Sequence, residues 1–194
     1  KEPSTIFLKD YQPPSFNIPR VELLFNIMDK YTLVTCRMQV VCVTPEDKPK
    51  ELILSGKKVS LESIKVNGVE FSSKYYEVTD EHLIIKDPPQ SFVLETRVKV
   101  EPQNNTELEG LYRSGNIYCT QNESQGFRKI TYFLDRPDVM SIYTTTIVAD
   151  KKNFPVLLSN GDLVDSMDLK QGRHLVKWHD PHRKPCYLFA LVAG

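Results

Sequence analysis

A short polar segment between two aromatic stretches carries the side chains best suited to bind a charged ligand. Residues 119–126 read CTQNESQG and interrupt a strand pattern that resumes with FRKITYFL, so residues 127–134 are expected to form a strand. Gln121 offers an amide and Glu123 a carboxylate, groups that can bind a polar side chain or an ammonium ion. Most loop glutamates are simply solvated, however, so composition alone favours an inert Glu123.

The histidines do not form a recognisable metal motif. His179, His182 and Cys186 lie close together in HDPHRKPC, but Pro181 and Pro185 prevent the helix that would aim both imidazoles at one ion. We interpret this stretch as a proline-rich loop between two strands. The sequence also contains no G-x-S-x-G, G-x-G-x-x-G or phosphate-loop motif. We therefore predict no catalytic residue and no metal ligand in this chain.

The residues that follow the polar segment are interpreted as structural. Asp135 can cap a helix, Pro137 suits a first helical position and Asp138 favours the positive helix end, which together predict one short helical turn. With Arg128 and Arg136 these acids are expected to form an ion-paired corner that shapes the loop. The large aromatic side chains around it are expected in the core: Tyr118, Phe127, Tyr132 and Phe133.

The rest of the chain is dominated by strand patterns. Apolar residues alternate with polar ones in VELLFNIM (21–28), TLVTCRMQVVCV (32–43) and SFVLETRVKV (91–100), a period typical of half-buried strands. Asn67-Gly68 predicts a tight hairpin, 79–81 a second bend, and Asn160-Gly161 another turn, with a loop over 44–50. No full helical period occurs, so we predict an all-β, mostly antiparallel fold of two sheets packed face to face with an extended edge.

Composition limits the functional classes. The chain has 194 residues with 25 basic and 25 acidic side chains, a balance that does not favour nucleic acid or an anionic membrane as partner. The four cysteines form no C-x-x-C pair, and we expect free thiols in a reducing cytoplasm. Because the chain begins at Lys1 and stops on an apolar strand, we expect residues 1–194 to be one domain of a longer protein.

The long block YCTQNESQGFRKITYFLDRPDVM, with FPVLLSNGD and KPCYLFALVAG downstream, resembles the N-terminal domain of the M1 family of zinc metallopeptidases. The resemblance covers essentially the whole chain. It implies a saddle-like β-sandwich without the H-E-x-x-H zinc motif, which belongs to a following catalytic domain. Zinc is therefore expected as the cofactor of the full-length enzyme and no cofactor is expected in this chain, which should be inactive alone.

The same resemblance implies roles for the polar segment. Glu123 would bind the free α-ammonium group of a peptide N-terminus, and Gln121 would line the pocket for the first side chain. The segment departs from some relatives at Asn122 and Gln125, which affects the expected fine specificity. The expected partner is thus a peptide N-terminus presented to the catalytic domain of the same chain, in a monomeric enzyme.

Two alternatives remain open from the sequence. A secreted β-sandwich binding module without a peptidase role would have paired cysteines and glycans at the sequons that begin at Asn104 and Asn122. The second alternative is another activity on the same scaffold, since members of the family hydrolyse leukotriene epoxides.

Overall fold

The computed structural model describes residues 5, 7–44, 46 and 49–194. The loop predicted over 44–50 therefore lies partly outside the described residues, as do most of the first six residues. The described part contains no α-helix, and no helical segment in it is long and apolar enough to cross a membrane. It contains fifteen strands: β1 Phe16–Ile27, β2 Thr32–Cys42, β3 Glu51–Ser55, β4 Ser60–Val66, β5 Val69–Glu70, β6 Tyr76–Val78, β7 His82–Lys86, β8 Ser91–Val100, β9 Gly110–Ser114, β10 Ile117–Gln121, β11 Met140–Asp150, β12 Leu157–Ser159, β13 Asp162–Asp168, β14 Arg173–Pro185 and β15 Leu191–Ala193.

These strands form three sheets, where the sequence predicted two. The largest has eight strands in the order β13-β14-β11-β1-β2-β8-β4-β5, and the others are β12-β15-β10-β9 and β3-β7-β6. Within the described residues the structure also has six short 3-10 turns: Leu8–Asp10, Ser73–Tyr75, Pro102–Asn104, Phe127–Lys129, Lys170–Gly172 and Cys186–Leu188. The all-β, mostly antiparallel prediction is confirmed.

The predicted alternation of buried and exposed residues is confirmed in the central strands. In β1 the buried positions include Val21, Leu23, Phe25 and Ile27, and their neighbours are more exposed. β1 pairs antiparallel with β2 and parallel with β11, so Leu23 lies between Cys36 and Thr145. Burial on one face of each strand fixes this register, because a one-residue slip would turn every apolar side chain to solvent.

One aromatic cluster joins the large sheet to the chain around the polar segment. The Phe127 ring lies 4.9 Å from Phe133 and 5.4 Å from Phe189 between ring centroids, in edge-to-face geometry. Phe25 of β1 stacks on Phe189 at 5.9 Å. The four predicted core aromatics are all buried. This packing fixes the chain on both sides of residues 122–126.

The structure confirms the predicted hairpins at Asn67-Gly68 and at 79–81, but not a strand over residues 127–134. Asn67 and Gly68 adopt φ of 50° and 81° between β4 and β5, and β6 and β7 pair around the second predicted bend. Residues 127–134 do not continue as a strand: a 3-10 turn is followed by a single bridge between Ser55 and Phe133.

The predicted helical turn after Asp135 and the predicted loop around His179 are corrected by the structure. The Arg136 N–H donates to the Leu134 carbonyl, and the Val139 N–H donates to the Arg136 carbonyl. The segment therefore makes a hydrogen-bonded turn that is not helical, and the chain enters β11 at Met140. Residues 179–185, HDPHRKP, are the end of β14, which carries its prolines next to a register shift opposite β11, a place where a missing N–H is tolerated.

Candidate functional site

The polar segment forms a short loop between β10 and the 3-10 turn at Phe127–Lys129. Gln121, which ends β10, is exposed, and so is Glu123. Asn122, between these two residues, and Gly126, after them, are buried. The loop therefore presents alternate polar side chains to solvent while the residues between and after them anchor it.

Gly126 allows the two ends of the loop to approach closely. A Cβ atom at this position would lie 2.5 Å from the Gln121 carbonyl oxygen, 2.9 Å from the Asn122 Cα and 3.1 Å from the Gly110 nitrogen. All three are backbone atoms, so no side-chain rotation could relieve the contact. Gly110 on β9 is equally restricted, since its φ is +71° and its Cβ would meet the Lys129 side chain at 2.7 Å. Sequence reasoning missed both glycines, and the G in NESQG was the one signal available for Gly126.

Asn122 fixes the middle of the loop. Its Nδ2 donates a 2.8 Å hydrogen bond to the Phe189 carbonyl oxygen, and the side chain is only 2% exposed. The Asn122 Oδ1 is buried without a hydrogen-bond partner among the described residues. In this fold Nδ2 is therefore unavailable for a glycan, which counts against the secreted binding module. The bond ties the loop to the segment that leads into β15.

An ion pair holds the chain just after the loop. Arg128 donates from its backbone N–H at 3.1 Å and from Nε at 2.9 Å to Oδ2 of Asp135. The Cys186 thiol donates to the other carboxylate oxygen at 3.2 Å, and burial raises the pKa of this thiol, so it stays protonated. The Arg128 Nη2 also reaches the Gln125 Oε1 at 2.8 Å. The ion-paired corner predicted for Arg128 and Asp135 is confirmed.

The second predicted pair lies at the following turn. Arg136 donates from Nε at 2.8 Å and from Nη2 at 2.7 Å to the two oxygens of Asp138. The Tyr11 hydroxyl donates to the same carboxylate at 2.9 Å. Hydrogen bonding to Arg136 lowers the pKa of Asp138. These residues are structural, as the sequence predicted.

Neighbouring glutamates are paired, and Glu123 is not. Glu107 and Glu109 both bind the Lys129 ammonium, and Glu107 also accepts a 2.6 Å bond from Lys58. Hydrogen bonding to Lys129 and then Lys58 lowers the pKa of Glu107 to about 2. Glu123, by contrast, makes no side-chain hydrogen bond or ion pair with the residues that the structure describes. An exposed carboxylate of this kind can accept an external cation without breaking an internal pair.

The side chains that the structure describes do not form a zinc site. The His179 ring shares a 2.9 Å hydrogen bond with the Thr144 hydroxyl, and His174 bonds to the Phe154 carbonyl. Across residues 5, 7–44, 46 and 49–194, no three His, Cys, Asp or Glu side chains are grouped as metal ligands. All four cysteines are free, as predicted, and Cys36, Cys42 and Cys186 are buried.

Comparison with known protein families shows which family this chain belongs to. A profile described as the Peptidase M1 N-terminal domain matches residues 17–188. The chain belongs to the M1 peptidase family. It is 43% identical over 194 residues to aminopeptidase N of Escherichia coli and 45% identical over 192 residues to aminopeptidase N of Caulobacter vibrioides. These alignments cover 100% and 99% of this chain but 22% of each relative.

Solved structures of M1 enzymes share the fold. Legionella pneumophila aminopeptidase A, crystallised with aspartic acid, superposes with a TM-score of 0.91 at 37% identity, over 96% of this chain and 22% of that one. An M1 zinc metallopeptidase of Deinococcus radiodurans superposes with a TM-score of 0.78 over 93% of this chain and 42% of that one. Its 12% identity shows the common fold alone. This M1 chain thus spans about a fifth of the curated relatives that it matches.

Proposed function

We propose that residues 1–194 are a single substrate-recognition domain of a zinc aminopeptidase that removes N-terminal amino acids from peptides. In this proposal Glu123 binds the α-ammonium group of the substrate and Gln121 lines the pocket for its first side chain. The observation that carries the proposal is an exposed, unpaired carboxylate on a loop whose flanking residues are buried and bonded.

The chemistry of an exopeptidase requires such a group. A peptide α-amino group has a pKa of about 8 and is mostly cationic at neutral pH. An internal peptide nitrogen carries no charge, so a fixed carboxylate distinguishes the end of a chain from its interior. A glutamate already engaged with a lysine, as Glu107 is, could not do this without losing that pair.

The loop supplies the positional precision that this role needs. Asn122 is held by the Phe189 carbonyl, and the Gly126 N–H donates to the Asn122 carbonyl at 3.1 Å. Gln121 is the last residue of β10 and pairs with Gly110 of β9. Glu123 therefore projects from a short connection between fixed points, which reduces the entropy lost when substrate binds.

The zinc ion and the catalytic groups belong, in this proposal, to the remainder of the longer enzyme. The names of the relatives support this, since the Deinococcus neighbours are zinc metallopeptidases. The 194-residue chain alone is then inactive on aminoacyl amides, and the enzyme acts as a monomer. Its four free cysteines favour a reducing compartment, the cytoplasm.

The test is a set of substitutions in the full-length peptidase. Glu123→Ala removes the carboxylate, Glu123→Gln keeps its shape without the charge, and Glu62→Ala changes another exposed glutamate far from the loop. Losing one partner of a desolvated charge pair costs about 2–5 kcal/mol. Because Glu123 is exposed in this chain, we expect the lower end for Glu123→Ala, an increase in KM of about 30-fold with free-amine substrates.

The comparison between variants isolates the charge. Glu123→Gln should approach the effect of Glu123→Ala, whereas Glu62→Ala should match the wild type. Steady-state kinetics with an aminoacyl p-nitroanilide give KM and kcat separately. An unchanged kcat/KM in Glu123→Ala would remove this residue from the site, and turnover of the same substrate by the 194-residue chain would contradict the division of labour.

A further inference from the structure

Lys129 is the one buried lysine or arginine in the part of the chain that the structure describes. It is only 6% exposed, whereas the other lysines and arginines described are at least partly accessible. Lys129 ends the 3-10 turn that directly follows the polar loop. An ammonium group loses free energy when it leaves water unless it is paired. The groups that bind this ammonium therefore determine what is held beside the loop.

The ammonium is bound by two carboxylates from one short segment. Glu107 and Glu109 both accept hydrogen bonds from the Lys129 Nζ. Burial alone would lower the pKa of Lys129, but the hydrogen bonds to these two glutamates raise it overall, so the side chain stays charged. Glu107 also accepts a 2.6 Å bond from Lys58. Two positive and two negative charges therefore balance within this cluster.

The segment that carries the two glutamates has little else to hold it. We call residues 106–109 the strap; all four are exposed, so apolar burial does not fix it. Leu108 adopts a φ of +56°, which is unfavourable for a bulky side chain and persists only where the surroundings enforce it. The ionic links of the strap run to Lys58, which is largely exposed, and to Lys129. Breaking a buried pair costs more than breaking an exposed one, so Lys129 determines where the strap lies.

The strap leads directly to the partner strand of the candidate site. Gly110 follows it, begins β9 and pairs with Gln121. β9 is an edge strand, so it is paired on one side only. A Cβ at Gly110 would lie 2.7 Å from the Lys129 Cβ and 3.1 Å from the Gly126 carbonyl oxygen. The Lys129 N–H also donates to that oxygen at 3.0 Å. Lys129 therefore contacts both the start of β9 and the end of the loop.

We propose that Lys129 is a positioning residue for the loop, because its ammonium holds the strap and thereby keeps Gly110 against Gln121. This inference rests on the proposed function, since only then does the placement of Gln121 and Glu123 affect a peptide N-terminus. Lys129 itself does not touch the substrate and acts through the two carboxylates. Without the ammonium, the polar side chains of the loop remain but vary in position, so more entropy is lost when substrate binds.

Hydrogen exchange in the full-length peptidase tests the physical link. Lys129→Met removes the charge and keeps an unbranched side chain in the buried site. Peptide mass spectrometry reports the exchange of residues 118–126, which contain most of β10 and the loop. We expect this peptide to exchange about tenfold faster, as for loss of one charge-assisted hydrogen bond, while peptides from β1 and β2 stay unchanged. Lys58→Met is the matched control, because it removes an exposed bond to the same Glu107 and should exchange like the wild type.

Steady-state kinetics with an aminoacyl p-nitroanilide separate positioning from simple loss of folded protein. KM of Lys129→Met should rise by about tenfold with kcat close to wild type. This is less than for Glu123→Ala, because the carboxylate is still present but less fixed. Fewer folded molecules would lower the apparent kcat and leave KM unchanged. Adding Glu107→Gln and Glu109→Gln to Lys129→Met removes the charges left unpaired, so Tm should recover while KM stays raised.

The two readouts keep the outcomes distinct. Equal acceleration of exchange in β1 and β2, or in Lys58→Met, would overturn the inference, since the effect would not be specific to the buried link. If Lys129→Met does not fold, Glu109→Gln removes one of the two carboxylates and should change exchange and KM in the same direction. Unchanged loop exchange or unchanged KM in Lys129→Met, with an impaired Glu123→Ala, would contradict the role of Lys129 alone. Faster loop exchange with normal kinetics in both Lys129→Met and Glu123→Ala would contradict the proposed function and support the link from Lys129 to the loop.

Discussion

Substituting Gly126 by alanine should damage both the stability of the domain and the placement of the loop. The added Cβ would lie 2.5 Å from the Gln121 carbonyl oxygen and 2.9 Å from the Asn122 Cα. To restore an ordinary contact of 3.4 Å, that oxygen would have to retreat by about 0.9 Å. The residue that moves is Gln121 itself, and the loop carrying Glu123 moves with it.

The size of the effect follows from these distances. Overpacking of a rigid site costs about 1–3 kcal/mol, which in a domain of this size lowers Tm by about 2–12 °C. A displacement of about 1 Å in a substrate-positioning group can lower the rate by about 100-fold. We therefore expect kcat/KM of the full-length Gly126→Ala enzyme to fall by up to about 100-fold. This loss of activity is larger than the loss of stability alone would cause.

The assays are thermal unfolding of the domain and steady-state kinetics of the full-length enzyme. Gly115→Ala is the matched control, because its φ of +59° makes alanine unfavourable while no atom lies within 4 Å of the added Cβ. It should lose about 1 kcal/mol of stability and keep its activity. Wild-type activity in Gly126→Ala, or an equal loss of activity in both variants, would refute the argument from close packing.

Two further substitutions test the ion pairs around the loop. Hydrogen bonding to Lys129 lowers the pKa of Glu107 to about 2 from a usual 4.5, so its stabilising effect is present above pH 4.5 and is lost as pH falls towards 2. Glu107→Gln should therefore flatten the pH dependence of Tm in this window, and an unchanged acid profile would show that the pair is not formed in solution. Asp135→Asn leaves the Arg128 guanidinium without its carboxylate and disturbs the contact with Cys186. Because Arg128 is partly exposed, we expect a loss of about 2–3 kcal/mol, read as a lower urea midpoint at constant m; a shift under 0.5 kcal/mol would contradict it.

The strands and tight hairpins were predictable because their signals are local. Val21, Leu23 and Phe25 alternate with more polar residues within a few positions, and Asn67-Gly68 encodes its own positive φ angles. The segment after the loop was not predictable in the same way. Its aromatic residues have high strand propensity, but Phe127 and Phe133 pack edge to face in the core, and the segment forms a strand-like bridge at Phe133 with Ser55 instead of a continuous ladder. Tertiary packing overrides propensity in such a case.

The candidate residues could be named from the sequence, whereas the contacts that hold their loop could not. Gln121 and Glu123 were chosen from the polar segment and a family resemblance, and the structure shows both exposed. The bond from Asn122 to Phe189 joins residues 67 positions apart, a distance that no local pattern encodes.

The parallel pairing of β1 with β11 has a consequence for synthesis of the protein. Leu23 and Thr145 are partners although 122 positions separate them along the chain. At about 5–20 residues per second, the ribosome needs roughly 6–24 s to make the second partner after the first. During this interval β2 can already cover one edge of β1, while the opposite edge of the nascent strand keeps its backbone groups unpaired. That open edge makes the growing chain a substrate for holding chaperones until β11 emerges.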